Sequence, residues 1–175
     1  ECNADKKDDQ FKPYGATPGH GIEWARLIVQ WALSSFANRD GARPYIDAAE
    51  HLFARAVADA WNADGTVGLA YPNGKPVVTD RMHWTLAESL NTSATLYAAT
   101  GEEMYANWYA TFAQYVDEHV IDHEGGSWFH QLDKNNHVIG TVWPGKSDLY
   151  HAFQSTLIPF LDPAVSIATA VKNAE

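Results

Sequence analysis

Apolar side chains recur at helical spacing through most of this chain, and that period limits the folds open to it. Residues 18–36 carry Ile22, Trp24, Leu27, Ile28, Trp31 and Leu33 at intervals of three and four. Residues 44–62 open on Pro44 and carry Ile46, Ala49, Leu52, Phe53, Ala56, Val57 and Trp61. Residues 79–99 follow a Thr79 or Asp80 cap, carry Trp84, Leu86, Leu90 and Leu96, and stop at Thr100-Gly101. Residues 102–121 repeat the pattern with Tyr105, Trp108, Tyr109, Phe112, Tyr115 and Val116. A fifth helix is expected over 147–160, from a Ser147 cap to Pro159, and a weaker one over 163–172. Two hairpins interrupt the helices. One spans 127–143 around Lys134-Asn135-Asn136, and the other runs from Val67 to Val78 with its turn at Asn73-Gly74.

Three of the helix starts resemble one another. Each has a polar cap and then a histidine or aromatic residue in the first turn: His20 with Trp24, His83 with Trp84, and Tyr150 with His151. The intervals between His20, His83 and His151 are nearly equal and fit a helix pair plus its loops. Alternate helices would then place their N-termini at one mouth. Three pairs make an arc rather than a closed ring, and an arc exposes apolar edges. Further helix pairs are therefore expected on the N-terminal side, as one domain with residues 1–175. The opening Glu1-Cys2-Asn3, with no initiator Met and no signal peptide, fits either processing or the back portion of a longer chain.

Composition narrows the function. The 175 residues are 46% hydrophobic, enough for a sizeable core. A net charge of -10 argues against nucleic acid or an anionic membrane as the main partner. No apolar run approaches the length of a membrane span. The single cysteine, Cys2, cannot close an internal disulfide, which fits a reducing compartment, and the acidic charge with no signal peptide points to the cytoplasm. Seven Trp and eight Tyr suit a carbohydrate platform, and equally suit a helix-packed core.

The run from Tyr14 to Trp24 is the richest in chemistry. Thr17 is a candidate N-cap and Pro18 a candidate first helical residue. His20 and Glu23 stand three apart and share a face of the first turn. The positive end of a helix favours a neutral over a charged imidazole. A base, a carboxylate and an indole at one helix mouth suit a small neutral polyol; a simple capping interaction is the plainer reading. His-x-x-Glu also ligates metals, but no HExxH, cysteine cluster or dense aspartate set accompanies it, so no metal is expected. His151 gains meaning from His20, since two histidines at one mouth suit two-sided proton transfer. Arg81 and Glu88, on one face of the third segment, form either a salt-bridged stripe or a pair of substrate contacts. His51, His119, His123, His130 and His137 fall in outer helices or loops and are read as structural or solvated.

Together these stretches resemble the N-acylglucosamine 2-epimerase superfamily, and most closely its aldose-ketose isomerase branch of mannose and sulfoquinovose isomerases. The likeness rests on PYGATPGHGIEWARL at 13–27, DRMHWTLAESL at 80–90, TGEEMYANWY at 100–109, GGSWFHQLD at 125–133 and GKSDLYHAFQSTLIP at 145–159. It implies an all-α (α/α)6 barrel of about twice this length, with this chain as a C-terminal half of about three helix pairs and short β-hairpins. It implies His20 and His151 as acid/base catalysts, Glu23 as a sugar ligand and Trp84 as a pocket wall, with Arg81 and Glu88 as further candidate substrate contacts. It implies a monosaccharide substrate and no cofactor. Sulfoquinovose isomerases carry an arginine ten residues before the first histidine, where this chain has Gln10. Gln10 lacks the charge that a sulfonate wants. A neutral hexose is therefore expected, with D-mannose and D-fructose interconverted through a cis-enediolate. The alternatives are sugar 2-epimerisation, a non-catalytic carbohydrate-binding module, or an inactive half-barrel.

Overall fold

The computed structural model describes residues 15–61, 69–70, 76–146 and 149–174. Five α-helices carry the fold: α1 (Pro18–Ser35), α2 (Arg39–Ala60), α3 (His83–Thr100), α4 (Glu103–Tyr115) and α5 (Ile167–Asn173). Two small antiparallel sheets sit between them. One pairs β1 (Leu69–Ala70) with β2 (Pro76–Val78). The other orders β3 (Arg81–Met82), β4 (Gln131–Leu132) and β5 (Val138–Ile139) side by side. Both expected hairpins are thus paired, although the Asn73-Gly74 turn lies outside the described residues.

α1 starts where expected. Pro18 holds the first turn, where its missing N–H is no loss, and the Thr17 carbonyl accepts from His20 N–H at 3.0 Å. Ile22, Ala25, Val29 and Ala32 form its buried stripe, against which α2 packs. Trp24, Leu27 and Trp31 are left on its exposed side.

α2 begins earlier than the sequence suggests. Asn38 caps it by accepting Gly41 N–H at 3.0 Å, so Pro44 stands in the second turn rather than at the start. So near the N-terminus, proline forfeits only the single hydrogen bond to the Asp40 carbonyl. α3 begins later than the expected Thr79 or Asp80 cap. Arg81 and Met82 are extended and pair with Leu132 and Gln131, which holds them out of the helix. Its end is as expected, at Gly101 with φ of 74°.

α3 is buried on nearly every side, and its composition shows how. Ser and Thr fill much of its surface and bond back to the helix. Ser89 donates to the Thr85 carbonyl and Ser93 to that of Ser89, both at 2.7 Å. Thr92 reaches across to the Ile22 carbonyl of α1 at 2.8 Å. Small side chains, most with their hydroxyls bonded, let the neighbouring helices approach closely. Phe53 of α2 and Trp61 just past its end meet Tyr105, Trp108 and Phe112 of α4 in an aromatic cluster.

α4 continues into a π-helical turn, Val116–Val120, which completes the expected 102–121 segment. The expected helix over 147–160 is not regular. A π turn, Leu149–Phe153, and a 3-10 turn, Ile158–Phe160, replace it, while Ser147 lies outside the described residues. Pro159 supplies no N–H, and the Ser155 and Thr156 hydroxyls bond to the Ala152 and Phe153 carbonyls at 2.7 and 2.8 Å. The last helix starts four residues later than expected, where Ser166 accepts Thr169 N–H at 3.2 Å. Among the described residues, no helix is long and apolar enough to cross a membrane.

Candidate functional site

The first turns of α1 and α3 meet the π turn Leu149–Phe153, and aromatic rings fill the junction. The His20 and Trp84 ring centroids lie 5.0 Å apart, and those of Trp84 and His151 lie 5.9 Å apart. Trp84 thus stands between the two histidines that the sequence singled out. Gly19 makes this approach possible. A Cβ there would sit 2.6 Å from both the Trp84 ring and the Thr85 methyl group. The indole packed on His20 is therefore Trp84 of α3. Trp24, expected beside His20 at the helix mouth, is 59% exposed.

Two more histidines join the junction. His83, the first residue of α3, is buried, and its ring lies 5.9 Å from that of His151, edge to face. Its backbone N–H donates to the His130 carbonyl at 3.0 Å, and its Nδ1 lies 3.3 Å from the same oxygen. A carbonyl only accepts, so this contact assigns the proton to Nδ1. The His130 ring is 4.8 Å from that of His83. The sequence reading placed His130 among loop histidines with structural or solvated roles. It does lie in a loop, but next to β4, and the β3–β4 pairing carries it inward against α3. No local pattern in the sequence marks that pairing. The other four histidines are peripheral: His51 bonds to the Asp47 carbonyl, His119 packs on Tyr115, His123 bonds to the Asp117 carbonyl, and His137 pairs with Asp133.

Acidic groups line the α1–α3 seam. Glu23 is half-buried on α1. Glu88 of α3 is 1% exposed and meets Arg26 of α1, whose Nε and Nη2 both lie 2.8 Å from Oε2. Burial pushes the Glu88 carboxyl above its ordinary value, against the opposing pull of Arg26. The Glu23 charge adds to the rise, and His151 opposes it. Glu88 Oε1 is buried without a hydrogen-bond partner among the described residues, as are both side-chain polar atoms of Asn91 one turn further along. Arg26 and Asn91 were not singled out from the sequence. Arg26 carried one signal: a basic residue inside an otherwise buried apolar stripe.

Arg81 goes elsewhere. It is on β3 rather than on a helix, and its guanidinium donates to the Asp133 carbonyl at 3.0 Å and to the Asn136 side chain. It ties the β4–β5 turn to the base of α3. The Arg81–Glu88 helical stripe therefore does not form, and Arg26 takes the place of Arg81 beside Glu88. Among the described residues, no group of three or more His, Cys, Asp or Glu is placed to hold a metal. A groove between α1 and residues 163–167 is lined by Leu27, Trp31, Pro163 and Ile167, and none of the four junction histidines faces it.

A buried carboxyl group, an indole and imidazoles on either side of it thus gather where the first turns of α1 and α3 meet the Leu149–Phe153 turn. Residues 1–155 match the family described as N-acylglucosamine 2-epimerase (GlcNAc 2-epimerase), and the chain belongs to that family. It is 42% identical to a D-mannose isomerase of Pseudomonas cannabina pv. alisalensis, over all of this chain and 43% of that protein. It is 41% identical to a D-mannose isomerase of Thermobifida fusca, over 98% of this chain and 42% of that protein. A crystal structure of D-mannose isomerase superposes with a TM-score of 0.79 at 30% identity, covering 90% of this chain and 40% of the other. The cellobiose 2-epimerase of Spirochaeta thermophila DSM 6192 shares the fold at a TM-score of 0.66 and 19% identity, over 95% of this chain and 41% of its own. The fold is that of the (α/α)6 barrel, and the chain spans less than half the length of the relatives it matches.

Proposed function

We propose that this chain supplies the two-histidine side of an aldose-ketose isomerase site that interconverts D-mannose and D-fructose. The observation that carries the reading is Trp84 held between His20 and His151, beside the buried Glu88 carboxylate. The names of the relatives point to the same substrate pair. A face of the sugar lies on Trp84, and Glu23 and Glu88 accept hydrogen bonds from its hydroxyls. One imidazole takes the C2 proton of the open-chain aldose. The electron pair forms a C1–C2 double bond as the C1 oxygen gains a proton, giving the cis-enediol. Return of a proton to C1, with loss of the O2 proton, leaves the C2 ketone. Each positioned acid or base contributes about 10²–10⁴-fold. Further helix pairs, of the kind that the extra length of the relatives contains, complete the pocket.

The family description favours a second reading, in which the proton returns to the opposite face of C2 and yields the epimer. Proton NMR of D-mannose in D2O separates the two. Fructose carrying deuterium at C1 supports the isomerase. Glucose carrying deuterium at C2, without ketose, supports the epimerase. Sugar binding without exchange reduces the chain to a binding module. Running the chain alone and fused to the N-terminal portion of the Thermobifida fusca relative shows whether the added helices are needed.

A further inference from the structure

We propose that Arg26 is a positioning residue that clamps one oxygen of Glu88, so that the other is presented as a dedicated acceptor for a substrate hydroxyl. The inference rests on the sugar-isomerase reading above. Arg26 directs both Nε and Nη2 at Oε2, and its Nη1 is held by Gln30 Oε1 at 3.0 Å. The guanidinium is thereby fixed from both ends. An arginine fork facing a carboxylate would ordinarily engage both oxygens. Here it spends two donors on one oxygen and leaves Oε1 buried without a partner among the described residues. A buried acceptor left unmet is costly, and one held ready for an O–H donor gives strong selection for a ligand that brings one. The charges facing Glu88 come from two elements besides its own: Arg26 and Glu23 on α1, and His151 on the π turn. Glu88 thus stands beside both the sequence-predicted sugar ligand and a sequence-predicted base. A neutral polyol offers hydroxyl donors to Oε1 and brings no charge to upset the Arg26 pair. A sugar lacking the hydroxyl that meets Oε1 would lose that interaction.

Arg26 also opposes the rise that burial imposes on the Glu88 carboxyl. Without the guanidinium, burial and the Glu23 charge act unopposed by their main counterweight, and the carboxyl takes up a proton at higher pH. A protonated Glu88 accepts less well at Oε1.

The test is a pH series of KM and kcat on D-mannose for the full chain, or for the fusion if activity needs it. The variants are Arg26→Met, Arg26→Lys, Glu88→Gln and Arg26→Met with Glu88→Gln. Arg26→Met is expected to raise KM about tenfold or more, with kcat changing less and the loss deepening as pH falls. Arg26→Lys keeps a cation but not the fork, so its KM rises less and shows a flatter pH profile. Glu88→Gln raises KM equally at every pH, and adding Arg26→Met to it changes KM little further. A merely structural arginine would lower the yield of folded protein without a pH-dependent KM. Wild-type KM in folded Arg26→Met, or fully additive effects in the double variant, would overturn the proposal. Should Arg26→Met not fold, Arg26→Lys decides alone, and a KM within about twofold of wild type overturns it. If the wild type turns over no hexose, the proposed function fails. The hold on Glu88 is then read by carboxyl 13C NMR titration, where an unchanged Glu88 titration in Arg26→Lys defeats the clamp as well.

Discussion

Between α2 and α4 the interior is ring against ring. Trp61 and Phe112 meet edge to face at 4.9 Å, Phe53 and Tyr105 at 5.7 Å, and Trp108 stacks on Phe112 at 5.3 Å. Between the first turns of α1 and α3 the interior also holds rings, but they are imidazoles around one indole, and the atoms between them are charged or polar. The aromatic side gains buried apolar area and about 0.5–1.5 kcal/mol per ring pair beyond it. The α1–α3 side buries an ion pair, which is weak evidence for stability because desolvation offsets its attraction. It also leaves polar atoms of Glu88 and Asn91 unmet. One side of the layer holds the fold together. The other gives up some of that stability to buried polar groups that the fold itself leaves unmet.

The largest effect expected separates the two sides by activity. His20→Ala and His151→Ala each lower turnover of D-mannose by about 10²–10⁴-fold, with little change in melting temperature. Steady-state kinetics and thermal unfolding on the same samples check this. Turnover surviving in both variants would take the chemistry away from the junction. A collapse of the fold in either would make the histidines structural and erase the contrast.

The converse substitution lies in the aromatic cluster. Phe112 is fully buried against Trp61, Trp108 and Phe53. Phe112→Ala should cost about 3–5 kcal/mol of stability, measured by denaturant unfolding, while kcat per folded molecule holds. A matching fall in kcat would show that α4 supports the site directly, and that the two regions are one unit.

These two regions were unequally legible in the sequence. Helical spacing of Phe53, Trp61, Phe112 and Tyr115 announced the aromatic side, because a buried stripe obeys the period of its own helix. The first turn of α1 was equally readable, since Thr17, Pro18 and His20 signal locally. Arg81 was misplaced because strand β3 is only two residues long and forms by pairing with β4, far along the chain. The same non-local pairing carries His130 inward, which no window around Phe129-His130-Gln131 could reveal. Arg26 and Glu88 were each visible, but nothing local says that they meet. The irregular segment after residue 149 was read as a helix because its apolar spacing is helical. Back-bonding hydroxyls at Ser155 and Thr156, with Pro159, decide otherwise.

Gly19→Ala tests how tightly the junction is drawn. The added methyl group would meet Trp84 and Thr85 at 2.6 Å, so the indole must shift. Overpacking of this kind costs about 1–3 kcal/mol. Because Trp84 spaces His20 from His151, turnover should fall by more than the stability loss explains. A Gly19→Ala protein with wild-type kcat and KM would mean that the indole position is not critical. Loss of stability alone would move Gly19 to the structural side of the comparison.

The smallest effect concerns polar groups that neither region uses. Asp122 lies on an exposed turn, accepts Glu124 and Gly125 N–H at 3.0 and 2.8 Å, and pairs with Lys146. Those contacts, the Gly125 N–H foremost, hold its carboxyl down at about 2 against an ordinary 3.8. A carboxyl lowered in the folded state stabilises fully above its unfolded value, and that contribution fades as pH falls from about 4 toward about 2. Asp122→Asn should therefore lower the melting temperature slightly at pH 7, and the two melting curves should converge by about pH 2. Lys146 also bridges Phe129 and lies just before the π turn that carries His151. If the pair only closes a surface turn, Asp122→Asn leaves turnover at pH 7 unchanged. A fall in turnover without loss of folded protein would show that the placement of His151 reaches back to this turn, and that the catalytic side extends to the surface.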